Sequence, residues 1–309
     1  MRIITLLFIL FPFSLMANTL PLDDALRATY TACVGIDDEL NDLKTMAGIN
    51  TAITSVGTAA GVGATVTGLV KADKDKQIEV KLEKLREIEQ KNPGLQSTDA
   101  EWDNFESSLT TELANAKIEV EKYQAEIEKL NKQSKKLGNW RTGLMAGATA
   151  TNVAGAIIAG TNKVDTDLKT QIDNCISSVK TLQNSMMQAR INGEDVSEAE
   201  SIASACGEYE YVDVSKINNR GRGAMISSTV GAATGLAGTV TSAIANTDKT
   251  RNDNTESGKQ KEKNLNTASN VLAGTTTVAS ATATVFNATQ ISAIKKVASV
   301  AEKCTGVLK

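Results

Sequence analysis

Four stretches of this chain carry no charged residue: 45–70, 142–162, 223–247 and 264–294. Each is entered just after a basic residue, Lys44, Arg141, Arg222 or Lys263, and three are left at Lys71, Lys163 and Lys295. As helices they are long enough to cross a bilayer, which takes about 20 residues. Their side chains are nevertheless small. Residues 45–70 hold only eight large apolar side chains, which at about −0.5 kcal/mol each supply roughly −4 kcal/mol toward insertion. Asn50, six Thr, Ser55 and five Gly oppose it. A lone segment of this kind passes through a translocation channel. The first expectation is therefore a soluble or membrane-peripheral bundle, and the second a membrane-inserted assembly.

Glycine disfavours an isolated helix by about 1 kcal/mol per residue, so these segments need partner helices. Gly57, Gly61 and Thr65 lie four apart, as do Gly231, Gly235 and Thr239. Gly143, Gly147, Thr151, Gly155 and Ala159 form a longer row at the same spacing. Such rows are glycine-zipper-like and admit close backbone approach. Gly57, Gly61, Gly147, Gly155, Gly231 and Gly235 are the candidate helix-packing positions. The run 275–286, rich in Thr and Val, keeps a strand reading open, but its alanines and the helical stripe before residue 56 favour helix.

The segments repeat. At an offset of 174, Val56, Gly57, Ala59, Gly61, Thr65, Val66 and Thr67 match Val230, Gly231, Ala233, Gly235, Thr239, Val240 and Thr241. Residues 142–162 resemble 269–289 more weakly. Each half reads as Cys, small-residue segment, polar connection, small-residue segment, Cys, with a turn signal at Asn192-Gly193 between the halves. The predicted organisation is a leader over 1–17, a first helical-hairpin half over 18–190 and a second over 191–309.

The connection in the first half, about 73–136, is an inserted helical hairpin. Ile78, Leu82, Leu85 and Ile88 recur at helical spacing, Asn92-Pro93-Gly94 breaks the run, and Thr98 with Glu101 resembles a capping box. Trp102, Phe105, Leu109, Leu113, Val120, Tyr123, Ile127 and Leu130 form the return stripe, which reads as coiled-coil-like, with Lys and Glu on its solvated faces. The second half makes the same connection with a short polar loop, so the hairpin is expected to be a dispensable module. Upstream, Pro21 with Asp23-Asp24 starts a helix whose stripe runs from Leu22 to Val56 as one long element. Glu208 to Val214 reads as a polar connector between the halves, with a short alternating strand or a cation held by Glu208, Glu210 and Asp213 as the alternatives.

Residues 1–17 have the form of a cleavable secretory signal: Met1-Arg2, an apolar run to Leu15, and Met16-Ala17 before Asn18. In an exported chain, Cys33, Cys175, Cys206 and Cys304 suit two disulfides. The repeat favours Cys33–Cys175 with Cys206–Cys304. The turn between the halves favours Cys175–Cys206 with Cys33–Cys304, and loop entropy does not choose between them.

The chain has no histidine, which removes the commonest general base and metal ligand, and no CxxC spacing that suggests zinc. A net charge of −3 argues against nucleic acid as a partner. No catalytic, cofactor-binding or metal constellation stands out. The expected fold is all-α, an elongated bundle of two duplicated helical hairpins with the inserted coiled-coil hairpin. The expected role is that of an exported, non-enzymatic structural or interaction protein of the periplasm, cell envelope or extracellular space. It would assemble with itself or another envelope protein. The alternative is a membrane-active protein whose hairpins insert and oligomerise in a bilayer.

Overall fold

The computed structural model describes residues 20–91, 111–253 and 255–309, with side chains from 114 onward in the second stretch. The leader, the Asn92-Pro93-Gly94 break, the capping box at Thr98, and the side chains of Trp102, Phe105, Leu109 and Leu113 lie outside the described residues. Among those described there is no strand. The elements are α1 (Leu22–Cys33), α2 (Ile36–Lys91), α3 (Thr111–Thr161), α4 (Thr166–Ile191), α5 (Ser197–Gly207), a 3₁₀ turn (Glu208–Tyr211), α6 (Ser215–Ala245), α7 (Asp248–Arg251) and α8 (Glu256–Leu308).

One expectation about local structure is corrected, and one open alternative, the strand at Glu208, is closed. The stripe from Leu22 to Val56 does not form one helix. Gly35 takes φ +88°, a left-handed conformation open to glycine, and ends α1 just after Cys33. The alternating run at Glu208 is a 3₁₀ turn, because Tyr209 buries its ring (1% exposed) while Glu208 and Glu210 pair with Lys303 and Lys180.

The chain divides into two compact units, and each draws on residues of both 18–190 and 191–309. Unit 1 contains residues up to 45, 164–217 and 292–309. It follows the rule for a body in water. One apolar stripe of α4, made of Leu168, Ile172, Cys175, Val179 and Leu182, is buried. It meets Ala25 and Cys33 of α1, Ile202 and Cys206 of α5, and the α8 residues Ile294, Val297 and Cys304 in one core. Asp165 caps α4 by accepting from the Leu168 amide at 2.8 Å. Disulfides join Cys33 to Cys175 and Cys206 to Cys304, the within-half pairing, with Cα atoms 4.8 and 4.6 Å apart.

Unit 2 contains 46–163 and 218–291, supplied by α2, α3, α6, α7 and α8. Glycines set its helix contacts. A Cβ on Gly61 of α2 would stand 2.7 Å from Thr277 Oγ1 and 3.1 Å from the Thr277 backbone of α8. One on Gly235 of α6 would meet Thr149 of α3 in the same way, 3.4 Å from its Cα. Gly57 faces Thr151 and Ser280, Gly231 faces Asn152, and Gly155 faces Thr54, Ser228 and Asn50. The four helices therefore pack in the order α2, α3, α6, α8 around one interior.

The inserted hairpin belongs to unit 2. Lys81 pairs with Glu126 across its two arms and lies 5.4 Å from the centre of the Tyr123 ring. Its root is tied into the bundle: Ser134 donates to Asp75, Asp75 pairs with Lys71, Arg251 donates to Ser134, and Lys135 pairs with Asp248. A deletion from Asp75 to Lys135 would remove Asp75, Ser134 and Lys135 from this network.

Candidate functional site

Between Thr45 and Lys71 and in the matching parts of α3, α6 and α8, the usual distribution of side chains is inverted. The interior of unit 2 is polar. Asn50, Thr54, Asn152, Ser228, Ser242, Ser269, Thr276, Ser280 and Asn287 are all fully buried. Asn50 donates to Asn287 Oδ1 at 2.9 Å, Asn287 donates to Thr54 at 3.3 Å, and Asn152 donates to Ser280 at 2.7 Å. Thr234 and Thr276 lie 2.9 Å apart. Alanines share this interior: Ala47, Ala148, Ala224, Ala279 and Ala283 are buried too, and Ala64, Met145 and Ala273, with Leu144 and Leu272 against them, form an apolar layer.

At the end of the bundle nearest the inserted hairpin sit two buried cations. Arg141 is fully buried and spreads its guanidinium over neutral partners: Ser242 at 2.9 Å, Asn270 at 2.9 Å and Asn266 at 3.0 Å. Gly68 makes room for it, since a Cβ there would press on Asn270 and stand 3.2 Å from Arg141 Cδ. Lys71, 1% exposed, pairs with Asp75 at 2.6 Å and lies 3.8 Å from Glu262. Burial pulls the Lys71 ammonium below its ordinary pKa against the pull of Asp75, and pushes the Glu262 carboxyl up against the pull of Lys71. Both shifts run against the charged forms, so desolvation outweighs the attraction within this cluster.

The exterior is apolar. Val56, Leu69, Leu236, Val271, Val278 and Val285 point outward, Val278 with 67% of its surface exposed. The hydroxyls among them bond to their own helix: Thr229 to the Met225 carbonyl at 2.8 Å, Thr241 to Ala237 at 2.9 Å, Thr275 to Val271 at 3.0 Å, Thr282 to Val278 at 2.8 Å. Such bonds leave no outward donor that needs water. Leu22–Lys91 and Ala114–Ile191 each contain an 18-residue window apolar enough to cross a membrane, by length and composition.

Of the six glycines predicted to pack helices, five do so. Gly147 does not: nothing lies within 4 Å of a Cβ placed there, nor of one at Gly143. A four-residue spacing drifts by about 40° per step on a helix of 3.6 residues per turn, so Gly147 points about 80° away from Gly155. The row in α3 thus leaves the interior as it climbs. The contrast yields a test. Gly61→Leu and Gly235→Leu should each lower stability by about 1–3 kcal/mol through overpacking, against a helix-propensity gain of about 0.8 kcal/mol. Gly147→Leu should be neutral or slightly stabilising. Thermal unfolding of the three variants gives the signs.

Comparison with protein-family models, with curated proteins and with solved structures finds no match for the chain.

Proposed function

We propose that this chain is an exported, non-enzymatic scaffold whose unit 2 is seated in a lipid bilayer. The observation that carries this reading is the inversion: buried Asn, Ser and Thr inside, Val, Ile and Leu outside, in the four stretches that lack charge. In water the arrangement is costly. Each large aliphatic side chain left exposed forgoes about 1.5–3 kcal/mol, while each buried polar group must be matched by a partner. In a bilayer the outward aliphatics are solvated by lipid and the inward amides and hydroxyls hold the helices together. The uncharged lengths suit the bilayer core. Trp140, largely exposed just before Arg141, suits an interfacial position. Unit 1 carries the two disulfides, which fit an oxidising compartment.

Insertion would then be a property of the assembled hairpins rather than of any one segment, since each alone is too weakly apolar to stop in transit.

A second reading, self-assembly in water through the same apolar exterior, is favoured by the outward-facing Gly143, Gly147 and Gly274, each open to close approach. Fractionation separates the two. The purified chain mixed with phospholipid vesicles should float with them and resist alkaline carbonate extraction. Recovery as a large, detergent-independent soluble particle would support the second reading and overturn the first.

A further inference from the structure

Zinc looked excluded by sequence because the cysteines are far apart along the chain, with sequence separations of 142 and 98 between bonded partners. Folding removes that objection. The two disulfides are neighbours within unit 1. The sulfurs of Cys33, Cys175 and Cys304 all lie within 4.8 Å of one another, and Cys206 is bonded to Cys304. All four cysteines are fully buried and come from four separate helices, α1, α4, α5 and α8. Four thiolates around one Zn²⁺, with Zn–S about 2.3 Å, stand about 3.8 Å apart. Cys33 and Cys175 are bonded to each other and Cys304 lies beside them, so once both bonds open, side-chain rotation can spread these three sulfurs to that spacing, and Cys206, freed from Cys304, becomes the fourth ligand.

We infer that the reduced chain holds a soft divalent cation of the zinc class on Cys33, Cys175, Cys206 and Cys304. The same four sulfurs then have two exclusive states, two disulfides or one tetrathiolate metal site. The inference concerns unit 1 alone and does not rest on the bilayer reading.

The chemistry balances with a phosphine as reductant. Each disulfide takes two electrons from one phosphine, which leaves as phosphine oxide with its oxygen from water, and the two sulfurs take up the water's protons. Zn²⁺ then replaces the four thiol protons: four S–H bonds break, four Zn–S bonds form, and four protons go to solvent. With no histidine in the chain, no imidazole competes for the metal.

The test is an anaerobic titration of the phosphine-reduced full chain with Co²⁺, a spectroscopic stand-in for Zn²⁺. The expected result is the visible spectrum of tetrahedral thiolate-bound cobalt, saturating at one ion per chain. Zn²⁺ should displace the cobalt and raise the thermal midpoint of the reduced protein. Cys33→Ser/Cys175→Ser, which keeps the other disulfide, should lose the spectrum after reduction. Three results would overturn the inference: only six-coordinate cobalt; an unchanged spectrum in the double variant; or a reduced chain that is unfolded and that Zn²⁺ does not refold.

Discussion

Replacing Cys206 and Cys304 by Ala should cost unit 1 about 2–5 kcal/mol. The bond closes a loop of sequence separation 98 and pins α8 to α5, where Ile202, Ala203 and Val297 complete the core. The corresponding loss at Cys33–Cys175, with separation 142, should be larger by only about 0.3 kcal/mol, since loop entropy grows with the logarithm of length. Hydrogen exchange locates the effect better than one melting curve, because the two units need not unfold together. Amides of α4 and α5 should lose protection in either variant, while those of residues 142–158 in unit 2 keep it. Equal loss in both units would show that they unfold as one.

Arg141→Met should lower the stability of unit 2 by about 3–5 kcal/mol. The variant removes the donor that Ser242, Asn266 and Asn270 accept from; Ser242 keeps Thr142 at 2.8 Å, while the two half-buried asparagines lose a partner at up to about 1–3 kcal/mol each. Relief from burying the guanidinium recovers part of that sum. Arg141→Lys should fall between wild type and Met, because a single ammonium cannot reproduce the planar fork that reaches three partners. Thermal unfolding in vesicles or mild detergent, read from unit 2 by the near-ultraviolet signal of Trp140, tests the order. A Lys variant as poor as Met would show that the fork alone matters, and an unperturbed Met variant would show that the three partners find other donors.

The helices were legible because apolar stripes, Pro21 and the Gly-rich rows all signal at helical spacing. Disulfide pairing was legible only as two alternatives. Loop entropy differs little between them, and the helix contacts that choose one are tertiary. The inversion of unit 2 was legible only in part: the glycine rows marked the face that packs, but nothing marked the Asn, Ser and Thr beside them as interior. Ile49 and Asn50, or Val278 and Ser280, sit on different faces of one helix, and a periodicity identifies the two faces without saying which is inside. In most proteins large aliphatics settle that question, as Leu168 and Ile172 do in unit 1. In unit 2 the small-residue side of each helix turns inward, because close approach and interhelical hydrogen bonds need Gly, Ser, Thr and Asn there. The cysteine cluster was hidden for a related reason: no local spacing foretells which distant helices converge.

If lipid surrounds unit 2, then Val278, the most exposed aliphatic of α8, faces acyl chains. Trp102→Phe/Trp140→Phe/Val278→Trp places one tryptophan there. In vesicles it should emit at short wavelength, be quenched by lipids brominated along the acyl chain, and be insensitive to aqueous iodide. Emission at the wavelength of a water-exposed indole, quenched by iodide and indifferent to brominated lipid, would contradict the bilayer-seated bundle.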